Sequence, residues 1–140
     1  MKFTDSHVHF WDRALMSYTW LHEVPSIWER HAPENLRAEA GAGMPEKIVF
    51  VECGAPWREE VKWIERLALA EPRIAGLVAR IAINTGAQTS ADIAELRRHP
   101  LVRGVRHHFE HDGPDYCARS EFIAGVRELS AASLSFDLCC

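Results

Sequence analysis

Asp5, His7 and His9, in the stretch DSHVHFWD at residues 5–12, set two imidazoles one residue apart behind a carboxylate. On an extended strand, residues two apart project to the same side, so these three side chains are expected to point together. Two neutral imidazoles on one strand face form a donor pair for a single divalent ion, with zinc the first choice. Such an ion polarises a carbonyl and lowers the pKa of bound water. His7 and His9 are therefore the candidate metal ligands. Zinc usually takes three or more protein ligands, so the pair is expected to be part of a larger set. The competing reading is a pair of histidines that only hydrogen-bond at a strand end.

A second polar concentration is VRGVRHHFEHDG, residues 102–113. Arg106 offers a planar fork of donors suited to a carboxylate or carbonyl, with a histidine beside it. Strand alternation puts Val105 and His107 on one face and Arg106 and His108 on the other, and does not choose between the two histidines. His111 and Asp112 are expected in the following loop. Glu52 closes an apolar run just before CGAP. It either binds substrate, orients a histidine, or is a solvated acid bonded to the next helix. Tyr18, Trp20 and Trp28 either wall a small-molecule pocket or form an apolar plug. His22, His31 and His99 have no spacing that singles them out and are expected in solvent.

These residues need elements to hold them. After the first strand (about residues 3–9) come four apolar, β-rich runs at 47–53, 74–83, 101–109 and 134–140. Near-continuous hydrophobic runs mark strands buried on both faces of a parallel sheet. Between them lie helical patterns. Pro33 starts a short helix that Gly41 or Gly43 stops. Trp57, Val61, Ile64 and Ala68 form the stripe of a second helix, and Thr89 with Asp92 suggests a capping box on a third. Ser120 is the expected N-cap of a fourth helix, whose stripe is Phe122, Val126 and Leu129. Unbroken strand–helix alternation gives the α/β class, and two architectures fit: an open doubly wound sheet, or the first five units of an eight-stranded barrel.

The 140 residues are 47% hydrophobic and 26% charged, an ordinary globular composition. The net charge is −4 and the only adjacent basic pair is Arg97–Arg98, so no nucleic-acid face is expected. No apolar run approaches the ~20 residues of a membrane span, and MKFTDSH lacks the apolar middle of a signal peptide. A cytoplasmic protein follows as the default. Cys53, Cys117, Cys139 and Cys140 have no zinc-ribbon spacing and are expected to be buried free thiols. The chain stops inside an apolar run, LSFDLCC, so either this strand closes a small domain or the chain is a piece of something longer.

Taken together, DSHVHFWD, Tyr18 and Trp20, LVRGVRHHF and LSFDL resemble the amidohydrolase superfamily, in its sugar-lactone (fuconolactonase/rhamnonolactonase-like) branch. The resemblance implies the N-terminal five strands of a (β/α)8 TIM barrel, with residues 1–140 one partial domain truncated at strand five. It implies hydrolysis of a sugar-acid lactone, a small-molecule substrate, with His7 and His9 matching the strand-one metal motif. Arg106 and His107 match the strand-four pair, where substrate contact is implied, and Glu52 is a substrate-binding candidate by its place at a strand end alone. Metal use varies within the branch. The D-H-x-G motif and the strand-eight aspartate of such enzymes fall beyond residue 140, so no catalytic acid is identifiable in this chain. Alternatives are a metal-dependent decarboxylase or amidase of the same superfamily, or a truncated product without activity. The oligomeric state stays open.

Overall fold

A computed structural model of the protein describes residues 2–110 and 112–139. His111, expected in the loop after the fourth strand, lies outside the described residues, as does Cys140. The strands are β1 (Thr4–Val8), β2 (Lys47–Val51), β3 (Ile74–Ala79), β4 (Val102–His108) and β5 (Ser135–Cys139). The helices are α1 (Pro33–Ala40), α2 (Trp57–Ala70), α3 (Ala87–Leu96) and α4 (Ser120–Ala131). Strand order is β1-β2-β3-β4-β5. Each expected element is present, and β3 ends at Ala79, before its apolar run does. The chain divides into two compact units, residues 1–77 and 78–140.

In the first unit, β1 pairs with β2 in parallel, Asp5 opposite Ile48 and Val8 opposite Phe50. Three steps along β1 thus oppose two along β2, and the extra residue breaks the alternation. Ser6 and His7 are consecutively exposed, whereas Val8 is buried. α1 begins at Pro33 and ends where Gly41 takes φ 50°, a left-handed value that glycine adopts without cost. α2 buries Glu60, Val61, Trp63 and Ile64. The stripe is rotated from the expected one, with Trp57 and Ala68 only half-buried. The core gathers Ile48, Phe50 and Val51 of β2 with Phe10 and Ile64, all nearly inaccessible.

One buried acid ties this unit together. Glu71 receives hydrogen bonds from Arg37 at 2.6 Å and from the Arg73 guanidinium at 3.0 Å. Burial alone would raise its pKa, but the bonds from Arg37 and Arg73 outweigh it and hold the carboxyl below its ordinary value.

In the second unit, β4 and β5 pair in parallel and in register, Arg106 opposite Asp137 and His108 opposite Cys139. Close approach is built in with glycine. A Cβ on Gly104 would lie 2.0 Å from the Ser135 hydroxyl, and one on Gly125 only 1.7 Å from the Ile83 carbonyl oxygen. The capping box expected at Thr89 and Asp92 does not form. α3 starts three residues earlier, with Gly86 as N-cap, and the Thr89 hydroxyl donates instead to the Ala82 carbonyl at 3.1 Å. Ser120 is the first helical residue of α4, with Arg119 at the cap. Among the described residues no helix is long and apolar enough to cross a membrane.

Candidate functional site

The bulge in β1 decides what the strand-one motif presents. Asp5 does not join the imidazoles: its carboxylate turns back and accepts the His7 backbone N–H at 3.2 Å. The expectation of three side chains pointing together fails because the extra residue shifts Asp5 out of step with His7. His7 and His9 do converge. Their Nε2 atoms are 3.1 Å apart and the rings meet edge to face. Two nitrogens bound to one tetrahedral zinc at ordinary bond lengths stand about 3.3 Å apart, so the pair fits a shared ion.

His9 is held from behind. Its Nδ1 lies 2.9 Å from the Val51 carbonyl oxygen, which can only accept, so Nδ1 carries the proton and Nε2 keeps its lone pair. The segment after β2 is itself braced. Glu60 accepts the Cys53 N–H at 2.9 Å, Trp20 Nε1 donates to the Cys53 carbonyl at 2.6 Å, and the Cys53 thiol reaches the Phe10 carbonyl at 3.2 Å.

Glu52, just after β2, is not a solvated acid. It is 2% exposed and accepts the Gly54 N–H at 2.8 Å, closing the turn into α2. Trp20 therefore braces Cys53, while Tyr18 and Trp28 line a separate cleft of about 360 Å³ with Arg13, Met16 and His22. Burial pushes the Tyr18 phenol pKa well up. His31 is not simply solvated either, because its ring packs 4.4 Å from that of Trp11 and their backbones pair.

In the second unit, Arg106 and His107 fall on opposite faces of β4. His107 faces the helical layer, stacked on Tyr116 at 5.0 Å and edge-on to Phe122, with Nε2 2.7 Å from Asp112. Burial, reinforced by the Asp112 charge, raises the Tyr116 pKa. Arg106 lies on the other face and donates to the Cys139 sulfur at 2.9 Å. The imidazole sharing that face is His108, whose Nδ1 is 3.3 Å from Glu110. His108, Glu110 and Cys139 each offer a ligand atom within 4.8 Å of the others. Of the cysteines expected to be buried, Cys53 is the only one among the described residues that is; Cys117 is exposed and Cys139 half-buried.

Glu60 and Glu110 were not singled out from the sequence, and Cys53 and Cys139 only as buried free thiols. A signal existed for Glu60, since positions 57, 60, 61 and 64 share one helical face and an acid there had to be buried. Nothing local marked Cys139, whose neighbours come from β4.

No family model matches the chain. It is 26% identical to an L-fucono-1,5-lactonase of Burkholderia ambifaria over 103 residues, 73% of this chain and 35% of that protein. An amidohydrolase of Burkholderia multivorans, solved with bound zinc, superposes with a TM-score of 0.79 at 25% identity, covering 99% of this chain and 49% of that one. Amidohydrolase 2 of Bifidobacterium longum subsp. infantis superposes at 0.74 with 26% identity, covering 99% of this chain and 51% of that one. The chain thus spans about a third of the curated relative and about half of the solved ones. The chain is thus similar to part of an amidohydrolase and of a lactonase, and its strands correspond to an N-terminal portion of a TIM barrel.

Proposed function

We propose that residues 1–140 are a partial barrel domain of a hydrolase that opens a sugar-acid lactone by water attack on the ring carbonyl. The observation that carries this is the convergence of His7 and His9 on one point, with His9 fixed in the metal-binding tautomer by Val51. In this reading His7 and His9 are ligands to a divalent ion, zinc by the preference of paired imidazoles. When bound, such an ion supplies Lewis-acid polarisation of a carbonyl.

The chain's own residues do the rest. Val51 keeps the His9 proton on Nδ1, so the ring offers its lone pair without prior deprotonation at Nε2. Of the substrate-binding candidates Arg106, His107 and Glu52, Arg106 is the proposed contact and the other two act as positioning residues. Arg106 donates N–H bonds to the carbonyl or carboxylate oxygen as negative charge develops there. His107 contributes by anchoring its strand through Asp112 and Tyr116, and Glu52 by holding the turn that ends in Gly54. No residue among these is assigned as the water-activating base. A cytoplasmic setting accompanies the proposal, supported by the free thiols of Cys53, Cys117 and Cys139.

The test is turnover of an aldonolactone panel, followed by pH-stat titration, using the metal-loaded protein that carries this chain. Acid release that stops with chelator and returns with zinc supports the proposal. No turnover of any lactone, or release of CO2 from a carboxylated substrate instead, overturns it.

A further inference from the structure

We propose that His108, Glu110 and Cys139 form a second, sulfur-containing site for a divalent transition-metal ion, separate in its ligands from the His7–His9 pair. In-register pairing of β4 with β5 puts His108 directly opposite Cys139. Glu110, two residues beyond His108, spans the two: one carboxylate oxygen is 3.3 Å from His108 Nδ1 and the other 3.4 Å from Cys139 Sγ. Around a tetrahedral zinc, neighbouring donor atoms stand about 3.3–3.8 Å apart, so small rotations of these side chains bring all three into a coordination shell.

The donor types narrow the ion. A thiolate disfavours magnesium and calcium, while nitrogen, sulfur and oxygen together suit zinc or cobalt. Three protein ligands leave one position open, the arrangement of reactive rather than purely structural zinc sites. Coordination forms the sulfur–metal bond as the Cys139 S–H proton passes to solvent, with no change of oxidation state. The Arg106 N–H already directed at this sulfur does not preclude binding, because a thiolate keeps lone pairs for both.

The experiment is a cobalt(II) titration of the protein that carries this chain, followed by its near-ultraviolet sulfur-to-cobalt charge-transfer absorption. The expected result is one saturable charge-transfer signal that persists in the H7A/H9A double variant, in C53S and in C140S, and is lost in C139S. Because C139S alters a strand, E110Q supplies a second reading at a side chain 49% exposed. It is expected to weaken cobalt binding roughly tenfold or more while leaving the circular dichroism unchanged. No charge-transfer absorption, its survival in C139S, its loss in H7A/H9A, or unchanged affinity in E110Q overturns the proposal. Success here with no lactone turnover would sink only the lactonase proposal, since this site rests on different residues.

Discussion

The Nε2 atoms of His7 and His9 stand 3.1 Å apart, while the other ring nitrogen of His9 is bound to the Val51 carbonyl. The first relationship makes a donor pair, and the second fixes which nitrogen of His9 is available. In the proposed metal site, β1 and the residue just after it supply the pair, and the end of β2 orients it.

Replacing His9 by alanine is expected to lower zinc affinity by at least about 100-fold, more than loss of an orienting partner costs. Competition with a chromophoric chelator measures this. Replacing Glu60 by glutamine, which keeps an acceptor for the Cys53 N–H, is expected to change affinity by less than about tenfold. An equal loss in both variants would remove His9 from the ligand set.

Arg106→Lys keeps the charge but loses the fork of donors. A drop in kcat/KM of roughly 10–100-fold is expected on any lactone the protein hydrolyses, since one point charge replaces paired N–H bonds. Steady-state kinetics decide it, and a variant as active as the wild type would exclude Arg106 from substrate binding.

Glu71 sets a pH dependence of stability. Its folded-state pKa is depressed below the ordinary 4.5, so its contribution is complete above that value and disappears as pH falls through the folded value. Glu71→Gln should therefore cost about 1–3 kcal/mol near neutrality and flatten the loss of stability below about pH 4.5. Urea unfolding at a series of pH values tests both parts.

Gly125→Ala should destabilise the second unit by about 1–3 kcal/mol or more, because the new Cβ would meet a backbone oxygen that no rotamer can move. The same change at Gly43, where nothing lies within 4 Å, should be nearly neutral. Thermal denaturation of the two variants separates a packing effect from general helix or loop propensity.

Much of the architecture was legible beforehand. The first strand and the four apolar runs are the five strands, and Pro33 and Gly41 bound α1 as proline and glycine do. The caps fall three residues before Thr89 and one before Ser120, and at Thr89 the hydrogen bond to Ala82 outcompetes the local motif. The site was legible in part. The pairing of His7 with His9 follows from their spacing, but Asp5 does not, since a bulge depends on what the neighbouring strand does.

The sequence by itself determined the residue types that could bind a metal or an oxyanion, and the order of strands and helices, because periodicity and punctuation are local. Tertiary structure decided the partners. It turned Asp5 onto its own backbone, buried Glu52 in a turn, sent His107 to Tyr116 and set His108 beside Cys139. The reason is physical: a side chain's face depends on strand register, and register is fixed by hydrogen bonds to a segment distant in sequence.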